Sequence, residues 1–229
     1  MIRIRQASER GRTRTDWLDS RHSFAFGDYR DPAHLGFRNL RVINDDRVAP
    51  GKGFAPHAHR DMEIVTVVLD GALEHRDSLG NGSVIKPGEV QRMSAGTGIT
   101  HSEFNPSPSE PVHFLQIWLL PERAGLAAGY EQRAFAPAPG LQLLASPDGR
   151  DGSLRIQAQV DLYAGRVRAD GVLSFAPRRA RQGWLQVVRG EVGLAGMRLG
   201  EGDGAALADE AQVDLHARAE SELLLFDLA

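Results

Sequence analysis

The sequence contains no cysteine. Disulfide bonds, thiolate catalysis, and zinc or iron–sulfur sites with cysteine ligands are therefore excluded. Any metal site in this chain must be built from histidine and carboxylate side chains. Long runs rich in Ala, Leu, Glu and Lys, which are typical of helices, are also few, whereas the 229 residues include 25 glycines and 12 prolines. This balance favours many short strands joined by turns.

The chain also lacks a strong charge of one sign and a long apolar segment. Its formal net charge is −3, so no overall basic field is present to attract nucleic acid or an anionic membrane. No apolar stretch is long enough for a signal peptide or a membrane span. The arginine-rich start contains Glu9, Asp16 and Asp19, whereas transit peptides are poor in acidic residues. We expect residues 1–5 to form an opening strand and the protein to be cytoplasmic.

Short strand-like segments dominate what is present. Between residues 40 and 120 such segments are separated by Gly, Pro and Asp turns, as in LRVIND, EIVTVVLDG, GALEHRDS, GNGSVIKPGEV and FLQIWLLP. This spacing is typical of a sandwich or barrel of antiparallel strands. Residues 121–140 are rich in Pro, Ala and Gly and have the composition of a connection between domains. Strand-like segments then resume up to the end of the sequence.

A weak internal repeat relates the two parts of the chain. EIVTVVLDGALEH followed by IKPGEVQRM resembles GWLQVVRGEV followed by LGEGDGAAL. Each consists of an apolar run that ends in a glycine turn and a second strand that begins after a further turn. The sequence therefore predicts two similar β units, over residues 1–132 and 133–229. The second unit has His216 but no closely spaced pair of metal ligands, so a metal site is expected in the first unit.

Two pairs of metal-binding residue types stand in strand-like segments of the first unit. His57 and His59 lie in PHAHRDME, and His101 and Glu103 lie in GTGITHSEFN. Residues i and i+2 of a strand point to the same face. Two such strands facing each other across a barrel would therefore place three imidazoles and one carboxylate around one point. This donor set suits Fe, Mn, Co, Ni, Cu or Zn and leaves coordination positions open, as in a catalytic site.

The remaining histidines of the first unit lie outside these two pairs. We interpret them as structural or surface residues: His22, His34, His75 and His113.

Both ligand pairs lie within motifs that resemble the two cupin motifs. The first is GKGFAPHAHRDMEIVTVVLDG, with one extra residue before Gly71, and the second is GTGITHSEFN, with Gly96 where cupins usually have proline. More specifically, SVIKPGEVQRMSAGTGITHSE, SFAFGDYRDP and FLQIWLLPE are similar to the pirin family of bicupins, and within it to bacterial quercetinase-like members. The resemblance covers about residues 1–135 closely and the remainder loosely.

The resemblance implies an all-β fold of two jelly-roll cupin barrels in tandem with one metal in the N-terminal barrel. The implied ligands are His57, His59, His101 and Glu103. Other cupins use the glutamate of the first motif, which is Glu63 here, and strand parity leaves it open as an alternative ligand. We expect Glu63 to orient a ligand imidazole or to be a satisfied polar residue instead. We expect Fe(II), with Mn, Co, Ni or Cu able to substitute and Zn as an inert occupant.

The resemblance also implies cleavage of a flavonol such as quercetin by dioxygen with release of carbon monoxide. Metal coordination would lower the pKa of the substrate hydroxyl, and Glu103, or alternatively Glu63, would accept its proton. The substrate pocket should be apolar and aromatic. The residues expected to line it, unless they are ordinary core residues, are Phe54, Met93, Phe114 and Trp118.

Two alternatives remain open on the sequence alone. Some pirins are regulatory proteins in which the metal controls binding to a protein partner, and a net acidic surface permits such a role. The absence of a basic patch or a DNA-reading motif argues against direct contact with nucleic acid. The other alternative is a dioxygenase whose physiological substrate is a different aromatic compound.

Overall fold

The computed structural model of the protein describes residues 1–178 and 180–229. Regular structure in this part is almost entirely β-strand, with 3-10 turns at Ala7–Glu9 and Arg150–Gly152. The strands of the first half are β1 (Ile2–Arg5), β2 (Gly11–Arg14), β3 (Leu18–His22), β4 (Leu40–Val48), β5 (Gly53–His59), β6 (Glu63–Asp70), β7 (Leu73–Asp77), β8 (Gly82–Ile85), β9 (Glu89–Ser94), β10 (Ile99–Phe104), β11 (Val112–Leu119) and β12 (Gly129–Ala134). Those of the second half are β13 (Gly140–Ser146), β14 (Leu154–Arg155), β15 (Val160–Val167), β16 (Val172–Phe175), β17 (Gln182–Arg189), β18 (Glu191–Leu194), β19 (Met197–Gly200), β20 (Gly204–Leu207), β21 (Val213–Ala217) and β22 (Ser221–Leu228). Within the described ranges, no helix has the length and apolarity needed to cross a membrane.

The strands form two barrels of the same design. In the first, a seven-stranded sheet with the order β12-β9-β6-β11-β4-β3-β2 packs against a four-stranded sheet with the order β5-β10-β7-β8. In the second, the corresponding sheets have the orders β1-β20-β17-β22-β15-β13-β14 and β16-β21-β18-β19. The prediction of an all-β chain with two barrels in tandem is confirmed.

The internal repeat corresponds to equivalent strands of the two barrels. Its segments are β6 to β9 in the first barrel and β17 to β20 in the second. The turn after the central strand has positive φ at Gly71 (77°) and at Gly190 (82°), a conformation that favours glycine. A Cβ atom at either position would collide with a backbone carbonyl oxygen, that of Pro111 or of Glu220. Both copies of the repeat therefore require glycine at this turn.

The two barrels pack through the outer faces of their seven-stranded sheets. A single buried apolar cluster contains Ile43, Val65 and Ile117 from the first barrel together with Trp184 and Phe226 from the second. Burial of apolar surface, which stabilises by roughly 25 cal/mol per Å², thus joins the barrels into one body.

The barrel interiors differ. The interior of the second barrel is continuously apolar, as illustrated by Leu185, Leu215 and Leu225. The apolar interior of the first is divided into two smaller clusters, one around Phe114 and one around Met93. Polar side chains occupy the space between those clusters, and the site lies there.

Two strands depart from the predicted division at residues 132 and 133. β1 pairs with β20 of the second barrel, with Ile2 opposite Leu207. β12 extends to Ala134 and pairs with β9 of the first barrel. Local sequence patterns identify a strand but not the sheet that it joins, because pairing is a long-range property. The division of the chain into domains stays a prediction.

Candidate metal centre

Neighbouring strands of the four-stranded sheet bring the two predicted ligand pairs together. β5 runs antiparallel to β10, with His57 opposite His101. The register then shifts by one residue, so that Glu103 lies opposite Phe54. Pro56 lies within this bulge, where its missing N–H breaks no ladder hydrogen bond. The expectation that the two strands face each other across the barrel was wrong, because they are hydrogen-bonded neighbours.

The imidazole rings form a compact cluster. Their centroids are 4.8 Å apart for His57 and His59, 4.4 Å for His57 and His101, and 5.0 Å for His59 and His101. One ring nitrogen from each of the three lies within 4.8 Å of the other two. His75, His101 and Glu103 form a second group with the same spacing. Because His101 belongs to both groups, the five side chains make one continuous cluster.

Two of these rings are neutral at physiological pH. Burial and the nearby His57 ring lower the pKa of His59 to about 4. Burial and the surrounding imidazoles lower the pKa of His101 to about 2. Both effects disfavour the charged form. The rings therefore present nitrogen lone pairs, which a metal ion requires.

Hydrogen bonds determine which nitrogens are available. His57 Nδ1 donates to the carbonyl oxygen of Ala55 at 2.8 Å, which leaves the lone pair on Nε2. His101 places Nδ1 3.5 Å from His75 Nδ1. Its Nε2 is buried and has no hydrogen-bond partner among the described residues. An unpaired buried nitrogen costs free energy, and a metal ion at the centre of the cluster would satisfy it.

Glu103 supplies a carboxylate to the same cluster. Its side chain is only 2% exposed, and burial raises the pKa of its carboxyl group. From the opposite sheet, Gln116 Nε2 donates to Glu103 Oε2 at 2.8 Å and Gln91 Nε2 donates to Oε1 at 3.4 Å. Each oxygen keeps a lone pair. Three imidazole nitrogens and one carboxylate oxygen are a donor set that fits a divalent first-row transition metal ion.

Glu63 does not join the cluster. It begins β6, which belongs to the seven-stranded sheet, whereas His57 and His59 lie in the four-stranded sheet. Its Oε2 accepts hydrogen bonds from Ser94 Oγ at 2.8 Å and from the backbone N–H of Gln157 at 3.0 Å. Strand parity does not relate Glu63 to the histidines, because the chain passes from one sheet to the other between them. Glu63 instead links the first barrel to the second.

A cavity of about 110 Å³ opens beside the cluster. His57, His59 and Glu103 form one part of its wall. Of the predicted pocket residues, Phe54 and Trp118 line it. The Trp118 ring stands edge-on to that of His59, with centroids 4.9 Å apart. The aromatic wall and the candidate ligands thus share one space.

Met93 and Phe114 do not line this cavity. Both are completely buried and pack in the apolar clusters at either end of the barrel. The cluster of Phe114 packs against Phe54 and that of Met93 packs against Trp118, so both lie behind the cavity wall as ordinary core residues.

Several cavity residues were missed by sequence reasoning. They are Thr13, Leu18, Ser20, His22, Phe26, Asn44, Asp46 and Gln116. Phe26 packs edge-on against Trp118, with centroids 5.4 Å apart. His22 Nδ1 lies 2.8 Å from Asn44 Oδ1, and its Nε2 lies 2.8 Å from Thr13 Oγ1. In β3, which reads LDSRH, Ser20 and His22 are buried at alternate positions. Because every residue after Leu18 is polar, the sequence carries no signal for the face that points inward.

The other histidines differ in their surroundings. His34 and His113 lie outside the cluster and contact carboxylates of Asp31 and Asp45, at 2.8 Å and 2.7 Å. His75, interpreted above as a structural or surface residue, is completely buried beside His101.

Asp46 is an unusual member of the cavity wall. Its carboxyl group is buried, and Oδ1 has no hydrogen-bond partner among the described residues. Burial, with smaller contributions from the charges of Asp45 and Glu103, raises the pKa of Asp46 to about 7. A proton is therefore readily held on this carboxyl group near neutral pH.

Comparison with known proteins gives a consistent family. The family model described as Pirin matches residues 3–119. A second model, described as the quercetinase C-terminal cupin domain, matches residues 143–228. The two matches correspond to the two barrels.

Similar proteins extend over the whole chain. Quercetin 2,3-dioxygenase from Escherichia coli K12 is 48% identical over 228 residues, which cover 100% of this chain and 99% of the relative. The crystal structure of the bacterial pirin YhhW from Escherichia coli in complex with nickel(II) has 49% identity and a TM-score of 0.96, with coverage of 100% and 99%. The structure of YhaK from Escherichia coli has 32% identity and a TM-score of 0.76, with coverage of 95% and 93%. The chain belongs to the pirin family, and its two barrels are cupin domains.

Proposed function

We propose that this protein is a metal-dependent dioxygenase that cleaves quercetin, or a related aromatic enol, with release of carbon monoxide. The observation that carries the proposal is the shared space of the imidazole–carboxylate cluster and the aromatic cavity. A relative that is 48% identical over its full length bears the name quercetin 2,3-dioxygenase, which supports this substrate class.

The ligands that we propose are His57, His59, His101 and Glu103. A similar pirin has been crystallised with nickel(II), and the donor set accepts most first-row divalent ions. Fe(II) remains our prediction for the resident metal, with Mn, Co, Ni, Cu and Zn as alternatives. When bound, the metal acts as a Lewis acid that lowers the pKa of a substrate hydroxyl.

The chain's own residues bind the substrate and handle its proton. Phe54 and Trp118 would contact the faces of an aromatic ring, and Phe26 would keep water from the cavity. Glu103 lines the cavity and retains lone pairs on both oxygens. It would accept the proton that leaves the substrate's 3-hydroxyl group.

The overall reaction balances without a further co-reactant. Both atoms of dioxygen enter the ester product, and the hydroxyl-bearing ring carbon leaves with its own oxygen as carbon monoxide. Quercetin and dioxygen are the only reactants that this scheme requires.

A cytoplasmic location and the absence of nucleic-acid contact stay predictions.

Oxygen consumption with quercetin tests the proposal. The metal-stripped protein is loaded separately with Fe(II), Mn(II), Co(II), Ni(II) or Cu(II), and dioxygen uptake and carbon monoxide are measured together. His101→Ala removes a proposed ligand, whereas His113→Ala removes a histidine outside the cluster and serves as the matched control.

Equimolar dioxygen uptake and carbon monoxide release that disappear only in His101→Ala are the expected result. A metal-loaded protein with no uptake under any of these conditions would overturn quercetin as the substrate. Another aromatic substrate, or a regulatory role with a protein partner, would then take its place.

A further inference from the structure

A closed ring of hydrogen bonds surrounds the carboxylate of Glu103. Gln91 Nε2 donates to Thr66 Oγ1 at 3.0 Å, and Thr66 Oγ1 donates to Gln116 Oε1 at 2.6 Å. The two glutamines also donate to Glu103, as described above. Thr66 is completely buried and does not line the cavity. It nevertheless touches both side chains that hold the carboxylate.

The single hydroxyl hydrogen of Thr66 gives the ring its direction. Because the hydroxyl donates to Gln116 Oε1, the amide group of Gln116 must present its nitrogen to Glu103. Because the hydroxyl accepts from Gln91 Nε2, Gln91 likewise presents N–H groups on this side. Gln91 Oε1 is left buried without a partner among the described residues. The amide orientation that serves Glu103 is thus adopted although it leaves this oxygen unpaired.

The second barrel has the same positions without the polar ring. The cross-strand row in the first barrel is Gln91–Thr66–Gln116, and the row at equivalent positions in the second is Ala205–Leu185–Leu225. Thr66 and Leu185 each lie five residues before the glycine of the repeated turn. The barrel design is therefore compatible with an apolar row. The polar row therefore occurs in the barrel that contains the buried carboxylate of Glu103, and the fold itself does not require it.

We propose that Thr66 is a positioning residue that, through Gln91 and Gln116, orients the Glu103 carboxylate towards the metal. This inference rests on the proposed metal centre and concerns its geometry rather than its substrate. Thr66 hydrogen-bonds to the two glutamines, which in turn hydrogen-bond to Glu103. It therefore acts on the metal only through these residues.

Cobalt(II) binding by the metal-stripped protein tests this role without turnover. Thr66→Val keeps the volume and removes the hydroxyl, whereas Thr66→Ser keeps the hydroxyl and removes a methyl group. Leu185→Val alters the equivalent position of the second barrel and controls for a change of core packing. Glu103→Ala provides the reference for a site without the carboxylate. The visible absorption of bound Co(II) and its dissociation constant are measured for each variant, together with thermal unfolding.

We expect Thr66→Val to weaken Co(II) binding by about tenfold or more and to shift the absorption bands towards those of Glu103→Ala. Thr66→Ser and Leu185→Val should retain the spectrum of the parent protein. A parent-like spectrum and dissociation constant in Thr66→Val, with only a lower unfolding temperature, would overturn the positioning role and leave the metal centre intact. Absence of Co(II) binding in the parent would overturn both. Co(II) results as expected, without dioxygen uptake on any substrate, would overturn the proposed function alone.

Discussion

His75 and His101 lie on adjacent strands with their Nδ1 atoms 3.5 Å apart, and His75 Nε2 lies 3.1 Å from Asp77 Oδ2. Burial alone would raise the pKa of Asp77, but hydrogen bonds from Asn81 and His75 outweigh it and lower that pKa. The ionised carboxylate accepts a hydrogen bond from the N–H of His75 Nε2, so in the neutral imidazole the lone pair lies on His75 Nδ1. His75 Nδ1 can therefore accept from His101 Nδ1, which leaves His101 Nε2 free to bind a metal ion.

The substitution His75→Phe removes this orientation of His101. Phenylalanine preserves a ring that stacks on Tyr130, whose centroid lies 4.6 Å from that of His75, but it cannot accept a hydrogen bond. We expect metal affinity to fall by about 10–100-fold, as measured by calorimetric titration with Ni(II). His113→Phe is the matched control, because His113 also contacts a carboxylate but lies outside the cluster. Equal Ni(II) affinities in the parent and both variants would refute the role of His75.

Substitution of the two candidate glutamates should have different effects on metal content and on stability. Glu103→Gln is expected to reduce bound metal, because the amide is a weaker ligand and its own N–H group would face the donors of the glutamine ring. Glu63→Gln should leave metal content unchanged and lower the free energy of unfolding by about 1–3 kcal/mol, since Glu63 joins Ser94 to the backbone of Gln157. Elemental analysis and urea unfolding provide the two measurements. Metal loss in Glu63→Gln but not in Glu103→Gln would transfer the ligand role to Glu63.

The pKa of Asp46 makes stability depend on pH. A carboxyl group whose pKa rises from 3.8 to about 7 on folding binds more protons in the native state. The stability that it contributes is present below about pH 4 and is lost as the pH rises towards 7, by at most ~1.4 kcal/mol per pH unit.

The neutral variant Asp46→Asn should lack this contribution. Relative to the parent, it should gain stability progressively between pH 4 and pH 7 and then reach a plateau. Urea unfolding of both metal-free proteins across this range measures the difference. Parallel pH profiles would contradict the raised pKa.

The sequence was sufficient to predict the residues of the imidazole–carboxylate cluster whose type and spacing are recognisable within a single strand. His57, His59, His101 and Glu103 stand in i, i+2 pairs beside glycine turns, so the shared face within each pair follows from local rules. The paired glycine turns similarly revealed the repeated barrel.

Residues whose role depends on cross-strand neighbours could not be predicted in this way. Gln91, Thr66 and Gln116 each stand in an ordinary strand, and only the register of three strands places them in one row. The alternation of side chains relates residues only within one strand. It therefore could not place Glu63 relative to His57 and His59, because the chain passes to the other sheet before β6 begins. Which edge β1 joins is likewise determined by long-range pairing.

The cavity wall provides a last test, because the predicted pocket residues divide into two kinds. Trp118 lines the cavity and contacts both Phe26 and His59, so Trp118→Leu removes a surface on which an aromatic substrate would pack. We expect KM for quercetin to rise about tenfold, which corresponds to ~1.4 kcal/mol of binding free energy. Met93 does not line the cavity but belongs to the cluster that packs against Trp118. The volume-conserving change Met93→Leu should leave KM unchanged and cost less than about 1.5 kcal/mol of stability. Steady-state oxygen uptake and thermal unfolding measure these effects. A similar rise of KM in both variants would mean that Trp118 acts through barrel packing rather than by contact with the substrate.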